Sequence, residues 1–214
     1  YGLVGSEMCI RDSGWQEGIE ADGKDACLKA VRTQLRSGVD LIKMMATGGV
    51  MTKGVEPGNA QFTVDEMKVM IEEAHKAGRK TATHAQGLQG IRNALYAGID
   101  SIEHGCFLDD ECLERMKEQN TFLVPTLCAP QCIIDKGLEN GVAKYAVDKT
   151  LKVKDAHVES VKKAYEKGIQ IALGTDAGTP FNYHSNTAYE MELLAHVVRR
   201  VLHPYVRTQQ GVVH

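Results

Sequence analysis

One unit recurs along this chain: a helix-like segment ends at glycine and is followed at once by a short apolar strand. Four junctions have this form, at Gly38, Gly78, Gly98 and Gly168, and Asn120 replaces glycine in a fifth. Glycine, and less often asparagine, accepts the left-handed backbone with which many helices end. Strands that alternate with helices are joined by right-handed crossovers, which make neighbouring strands parallel. The repeat therefore predicts an α/β fold with a parallel sheet.

The last predicted strand favours a barrel over an open sheet. Ile171 and Leu173 lie on one of its faces, while Ala172, Gly174 and Asp176 lie on the other. Bulky residues on such a strand face the surrounding helices, and small residues face a crowded interior. A doubly wound open sheet is the alternative, but no Gly-x-Gly-x-x-Gly fingerprint follows a strand.

The length of the chain fits only part of a barrel. A complete eight-stranded barrel needs about 250 residues, whereas this chain has 214. We predict a partial (β/α)₈ TIM barrel of about five C-terminal units in residues 14–202, with the first strands missing. Residues 1–13 have neither an initiator methionine nor a signal-peptide pattern and are expected to be a non-native leader. Residues 203–214 lose periodicity and are predicted to form an irregular tail.

Composition argues against several classes of function. Charged residues make up 25% of the chain and hydrophobic residues 43%, which is an ordinary globular balance. A formal net charge of -3 without a Lys/Arg tract predicts no nucleic-acid partner. The absence of an apolar run of about 18 residues predicts no membrane span. The six cysteines contain no Cys-x-x-Cys pair, which argues against a zinc knuckle and favours reduced thiols in the cytoplasm.

Local signals place some of the helices. Residues 63–66 (TVDE) have the pattern of a capping box before a helix. Asp109 is expected to cap the helix that contains Leu113 and Met116. His157 lies on another predicted helix and is expected at the surface. Cys106 follows a predicted strand, but no base is assigned to it, so a nucleophilic role is unsupported.

Polar residues stand where four of the predicted strands end. They are Lys43, His84, His104 and Asp176, and each is followed within a few residues by glycine. Barrel enzymes assemble their sites at this carboxyl face. Imidazoles and a carboxylate suit Zn²⁺, which acidifies bound water and polarises a carbonyl. Two forms of the lysine stay open: an ammonium that binds an anionic group, or an amine that reacts with carbon dioxide to form a carbamate ligand.

The segments around these residues resemble those of a known family. They are residues 42–49 (IKMMATGG), 83–85 (THA), 101–105 (SIEHG) and 174–180 (GTDAGTP). In order and spacing they are similar to the metal-binding strands of the amidohydrolase superfamily. The nearest branch is the imidazolonepropionase-related, prolidase-like group, which hydrolyses Xaa-Pro dipeptides and N-acyl amino acids. The resemblance implies a zinc-dependent hydrolase of amide C–N bonds, with a dipeptide or another small molecule as substrate.

The resemblance also assigns roles to single residues. The family lysine at the position of Lys43 is carboxylated and bridges two zinc ions, and the histidines at His84 and His104 bind the second metal. The aspartate at Asp176 binds the first metal, accepts a proton from the attacking hydroxide and passes it to the leaving amine. Gln86, where many relatives have His or Tyr, and His184, in the loop after the last strand, are expected to contact substrate.

The chain departs from the family pattern in two respects. The His-x-His pair with which the family begins its site is missing from the sequence, and so is the small β-domain formed by both termini. We therefore expect one zinc ion or none, and incomplete activity. Three alternatives stay open: a deaminase, a cyclic-amide hydrolase of the same superfamily, or a catalytically silent fragment. Unpaired sheet edges of a partial barrel favour pairing with another chain, as in a homo-oligomer.

Overall fold

The structure is a computed structural model that describes residues 2–5, 18–51 and 56–209, with only the backbone described for 2–5 and 200–209. Six strands form one sheet. They are β1 (Gly2–Gly5), β2 (Gly18–Ala21), β3 (Leu41–Met45), β4 (Lys80–Ala85), β5 (Ser101–His104) and β6 (Phe122–Val124). Their order in the sheet is β2-β1-β3-β4-β5-β6.

Helices connect and follow these strands. They are α1 (Lys24–Arg36), α2 (Val64–Lys76), α3 (Leu88–Ala97), α4 (Asp110–Gln119), α5 (Cys128–Lys136), α6 (Lys144–Glu166) and α7 (Thr187–Gln209), with a 3₁₀ turn at His184–Asn186. β3 to β6 run parallel, whereas β1 pairs antiparallel with both β2 and β3. The predicted parallel sheet with alternating helices is confirmed. None of the helices in the described ranges has the length and apolar character that a membrane span requires.

Local sequence signals account for several helix boundaries. Gly98 and Asn120 end α3 and α4 with φ angles of 91° and 57°, which is the left-handed conformation that the junction pattern predicts. Thr63 caps α2: its side chain accepts the amide N–H of Glu66, whose carboxylate in turn accepts the amide N–H of Thr63. Asp109 caps α4 by accepting the amide N–H of Cys112 at 2.9 Å.

The sheet has two unlike faces. On one face, Met44, Ile102 and Leu123 are at most 1% exposed and belong to the hydrophobic core beneath the helices. On the other face, cross-strand register aligns Met45 with His84 and His84 with Glu103. Residues that pair across strands share a face, and Lys43 joins them because it lies two residues before Met45. Lys43 and His84 therefore project from the face opposite the helices, whereas His104 pairs with Ala85 and leaves the extended strand with a φ of 71°.

Large apolar side chains on that same face are partly open to solvent. Leu41 and Phe122 are 43% and 42% exposed, and they stand at the first positions of β3 and β6. Register places Phe122 opposite Ser101, and Ser101 opposite Ala82, on the face that carries Lys43. Within the described residues this part of the sheet lacks the helical cover that buries its other side.

The fifth predicted strand is reduced to one parallel bridge, between Leu123 and Ile171. The amide N–H of Leu123 donates to Gln170, and that of Ala172 donates to the Leu123 carbonyl, both at 2.9 Å. The ladder stops there because β6 is followed by Pro125, which has no N–H to donate. Ile171 packs against the core, as predicted, whereas Leu173, expected on the same face, is 48% exposed.

The structure departs from the sequence expectations at the end of α7 and at His157, and its sheet includes part of the expected leader. Residues Gly2–Gly5, inside the expected leader 1–13, form β1 and pair with the sheet, while residues 6–17 lie outside the described ranges. Helix α7 extends to Gln209, so residues 203–209 are helical where the sequence predicts an irregular tail. His157, expected at the surface, is buried at 2% exposure. It lies on the inner face of α6 with Val153, Ser160 and Val161. Because this face includes polar residues, its burial does not show as an apolar pattern in the sequence.

Candidate metal centre

His84 and His104 bring two buried imidazoles together at the ends of adjacent strands. Their ring centroids are 4.6 Å apart with an interplanar angle of 68°. The residues are 1% and 4% exposed. At His104 the backbone φ is 71°, a left-handed conformation that ends the extended strand. The two predicted histidine ligands thus meet in one buried pocket of the fold.

Each ring has one nitrogen in a polar contact and one without a hydrogen-bond partner. His84 Nε2 lies 3.3 Å from the carbonyl oxygen of Gly48, so Nε2 carries the proton because a carbonyl only accepts. His104 Nδ1 lies 2.6 Å from the hydroxyl of Thr126. The remaining atoms, His84 Nδ1 and His104 Nε2, are buried and have no hydrogen-bond partner among the described residues. Neutral imidazole nitrogens of this kind are the ligands that zinc takes from histidine.

Both imidazoles are held in the neutral form. Burial lowers the pKa of His84 to about 3, with a further contribution from the positive charge of Lys43, against the opposing effect of the Gly48 carbonyl. Burial also lowers the pKa of His104 well below its usual value, with His84 and Lys43 acting in the same direction. At neutral pH the rings therefore keep the lone pairs that a cation needs.

Lys43 forms an ion pair with Glu103 beside these rings. The two side chains are 11% and 24% exposed. Glu103 stands next to His84 in the register of β4 and β5, which brings it to the face of Lys43. Glu103 is not among the residues predicted from the sequence, although strand alternation already places it two residues after Ser101 on the face of Lys43. A carboxylate so close favours the ammonium form of the lysine.

Asp176 lies in the loop after the Ile171 bridge and is half-buried, with a φ of 54°. The buried side chain of Asn182 anchors this loop: its amide donates to the carbonyl oxygens of Thr175 at 2.6 Å and Asp176 at 3.0 Å. The thiol of Cys128 in turn donates to the Asn182 side-chain oxygen at 3.2 Å. Sequence spacing gave no sign of this anchor, because it depends on α5 packing beside the loop.

The structure does not assemble all the predicted ligands into one cation site. In the ranges it describes, no group of three or more His, Cys, Asp or Glu side chains is arranged to hold a metal ion. The histidines and Lys43 come together, while the convergence of Asp176 with them stays a prediction.

The predicted substrate contacts differ in their surroundings. Gln86 is buried, and its side-chain oxygen has no hydrogen-bond partner among the described residues. Its backbone N–H donates to Thr47 at 3.0 Å, which fixes the strand end two residues after His84. His184 is exposed at the start of the 3₁₀ turn. Cys106 is buried, and burial raises the pKa of its thiol above the usual value, which disfavours the thiolate that a nucleophile needs.

His157 is a neighbour of the candidate centre that the sequence pattern did not predict. Burial lowers its pKa to about 4, whereas the backbone carbonyls of Pro125 and His104 act to raise it. His157 also lowers the pKa of His104, so the two rings lie close together. His157 therefore supports the turn behind His104 from the inner face of α6.

Comparison with known proteins identifies relatives of this chain. The model of the amidohydrolase family matches residues 1–212. Ochratoxinase of Aspergillus niger is 38% identical over 156 residues, which are 73% of this chain and 32% of that protein. The crystal structure of A. niger ochratoxinase matches with a TM-score of 0.72 and 35% identity over 82% of this chain and 39% of that chain.

Two further crystal structures are prolidases. A Xaa-Pro dipeptidase with bound methionine in the active site matches with a TM-score of 0.75 and 34% identity, over 83% of this chain and 43% of that chain. A prolidase complexed with N-methylphosphonate-L-proline matches with a TM-score of 0.74 and 28% identity, over 83% of this chain and 43% of that chain. The similarity to the prolidase-like branch is thereby confirmed.

The chain spans about a third of the length of the curated ochratoxinase and less than half of each of these crystal structures. This coverage, with the parallel strands and their helices, confirms the predicted fold class, a partial barrel of the α/β type. The chain belongs to the amidohydrolase family.

Proposed function

We propose that this chain carries part of the catalytic centre of a metal-dependent hydrolase that cleaves amide bonds in dipeptides or N-acyl amino acids. One observation carries the proposal: two neutral, buried imidazoles on adjacent strands each have a nitrogen without a hydrogen-bond partner. Burying such an atom costs free energy unless a ligand satisfies it. Similarity to an ochratoxinase and to prolidases supports the amide bond as the target.

His84 Nδ1 and His104 Nε2 are the atoms that would hold one zinc ion in this chain. A zinc ion supplies a water of lowered pKa and a Lewis acid for the substrate carbonyl. Lys43, in the form of a carbamate, would add an anionic oxygen ligand. To form the carbamate, Lys43 would first leave its ion pair with Glu103 and lose a proton. The resulting neutral amine would then react with carbon dioxide.

Asp176 is the proposed general base. Its carboxylate would accept a proton from the attacking water and deliver it to the leaving amine nitrogen. The hydrogen bonds of Asn182 to the backbone at Thr175 and Asp176 would keep that carboxylate in place during the transfer. Gln86 and His184 are the proposed substrate contacts. The buried amide oxygen of Gln86 could accept an N–H of the substrate.

The Lys43–Glu103 ion pair favours a second candidate. An unmodified ammonium does not bridge two metals, so a lysine that keeps this pair fits a site with one metal. A deaminase or cyclic-amide hydrolase of the same superfamily would use such a site on the same rim, because fold alone does not decide the substrate.

The test is an assay of the 214-residue chain, loaded with zinc, on Xaa-Pro dipeptides, N-acetyl amino acids and cyclic amides, with release of amine or ammonia measured. Metal content per chain and the intact mass would report the number of metal ions and the carbamate on Lys43. Turnover of dipeptides that is lost in Asp176→Asn supports the amide hydrolase. Ammonia release from an unmodified chain supports the deaminase. A chain that binds no zinc and turns over no amide refutes both candidates.

A further inference from the structure

We propose that Thr126 is a positioning residue that fixes the tautomer of His104, so that Nε2 of this ring presents its lone pair at the candidate metal centre. The inference rests on the proposed function for what binds that lone pair. The tautomer itself is a property of the metal-free chain, and it can be measured without zinc or substrate.

The hydrogen bonds of the Thr126 hydroxyl determine where its proton lies. Its oxygen is 2.6 Å from His104 Nδ1 and 2.6 Å from the carbonyl oxygen of Pro125. A hydroxyl has one proton to donate, and a carbonyl can only accept. The proton therefore goes to Pro125, and the hydroxyl oxygen accepts a hydrogen bond from His104. Nδ1 carries the ring proton, and Nε2 has none.

The opposite arrangement has two unfavourable contacts. If the hydroxyl donated to His104 Nδ1, the oxygens of Thr126 and Pro125 would lie 2.6 Å apart with no proton between them. The ring proton would then be on Nε2, which is buried and faces no acceptor among the described residues. An unsatisfied buried donor costs about 1–3 kcal/mol. Both effects favour the tautomer with a bare Nε2.

The backbone at Thr126 is strained, and its surroundings hold it. Its φ is 55°, in the left-handed region that β-branched residues rarely adopt. Directly after it, α5 begins with the amide N–H groups of Leu127 and Cys128 donating to the buried carboxylate of Glu190 at 2.9 and 2.6 Å. Strain of this kind persists only where the neighbouring structure over-determines it, and it concentrates at functional sites.

His84 provides the contrast within the same centre. Its tautomer is set by a backbone carbonyl, that of Gly48, which no substitution removes. The tautomer of His104 depends on a side chain, so a single substitution can test it. Partners of this kind orient the histidine ligands of metal sites, and their loss typically lowers metal affinity about 10- to 100-fold.

The first experiment measures the ring tautomer of His104 in the metal-free chain by long-range ¹H–¹⁵N correlation spectra at neutral pH. The signals of His104 are assigned by their loss in His104→Gln. We expect the Nδ1–H tautomer in the wild type and in Thr126→Ser, which keeps the hydroxyl. We expect Thr126→Val to populate the Nε2–H tautomer. A wild-type ring protonated at Nε2 overturns the inference.

The second experiment measures zinc affinity by competition with a chromophoric chelator. Thr126→Val should weaken zinc binding about 10- to 100-fold, whereas Thr126→Ser should restore most of the affinity. Thr121→Val is the matched control, because Thr121 is also a buried threonine and donates to the Ile99 carbonyl at 3.0 Å, away from the histidines. Equal affinities of Thr126→Val and Thr121→Val would overturn the inference.

The two readouts separate this inference from the proposed function. A wild type with the Nδ1–H tautomer that binds zinc but hydrolyses no amide supports the role of Thr126 and refutes the amide hydrolase. A chain that hydrolyses amides while His104 carries its proton on Nε2 refutes the role of Thr126 alone.

Discussion

At the scale of single residues, the proposed metal centre depends on two imidazoles that stay neutral because they are buried. Burial costs the charged form most of its hydration, and the adjacent Lys43 adds repulsion. The same burial leaves His84 Nδ1 and His104 Nε2 without a hydrogen-bond partner in the described structure. Neutral rings with open nitrogens are matched to a cation rather than to an anionic ligand.

The first prediction concerns these nitrogens. His104→Ala should weaken zinc binding more than about 100-fold, beyond the effect expected for a residue that only orients a ligand. Isothermal titration of the metal-free chain with zinc would measure the loss. His196→Ala is the control, because His196 is exposed on α7 and has no assigned role. Unchanged affinity in His104→Ala would remove this histidine from the site.

The second prediction concerns the proposed base. Asp176→Asn should lower kcat of amide hydrolysis about 10²- to 10⁴-fold, the usual contribution of a general base. The unfolding transition should stay nearly unchanged, because Asn182 anchors this loop through backbone carbonyls that the substitution keeps. Steady-state kinetics and thermal unfolding would be compared for both proteins. A variant with full kcat would exclude Asp176 as the base.

At the scale of secondary-structure elements, α7 caps α5 with a buried carboxylate. Glu190 is fully buried and accepts two backbone N–H groups at the start of α5. Burial nevertheless raises its pKa to about 7, against the opposing effect of those hydrogen bonds. The thiol of Cys128 is a titratable neighbour of Glu190, and burial raises the pKa of that thiol to about 12, so it stays uncharged. This contact joins the first turn of α7 to the turn that contains Thr126.

The third prediction follows from the sign of this shift. The folded-state pKa of Glu190 lies above the unfolded value of 4.5. The contribution of Glu190 to the free energy of unfolding is therefore fully present below pH 4.5 and is lost as the pH rises through about 7. Over this range the wild type should lose up to about 3 kcal/mol of unfolding free energy relative to Glu190→Gln, which does not titrate.

Urea unfolding from pH 5 to pH 8 would measure this difference. Glu192→Gln is the matched control on the same helix, because Glu192 is exposed, and its pH profile should follow the wild type. If Glu190→Gln and the wild type lose stability in parallel, the carboxylate is ionised throughout and its raised pKa is wrong.

At the scale of the whole molecule, the centre joins elements that are distant in sequence. Zinc at His84 and His104 would connect β4 to β5, and both strands are packed through their other face onto the helices. The face that carries the centre is more open, since Leu41 and Phe122 on it remain over 40% exposed. A ligand on this side should therefore stabilise the fold measurably.

The fourth prediction is that zinc raises the melting temperature of the chain. At a free concentration about 100 times Kd, binding to the folded state alone adds about 2.7 kcal/mol of stability. Thermal unfolding with and without zinc would show the increase, and the double variant His84→Ala, His104→Ala should show none. An equal increase in the double variant would locate the bound zinc elsewhere.

The sequence by itself determined the elements and the positions of the candidate ligands. Helix ends at Gly98 and Asn120, the capping box at Thr63 and the parallel strands all depend on signals within a few residues, which a sequence pattern contains. The placement of His84 and His104 at the carboxyl ends of β4 and β5 has the same local origin, whereas Lys43, predicted at the end of its strand, is the third of the five residues of β3.

Only the tertiary structure decided which side chains meet. Thr126 contacts His104 from 22 residues away, and Glu190 caps α5 from 62 and 63 residues away. The pairing of Glu103 with Lys43 likewise depends on the register of three strands. These contacts set protonation, ring orientation and burial, which are properties of a packed environment. No pattern confined to neighbouring residues contains them, because the partners approach one another only after the sheet and helices have assembled.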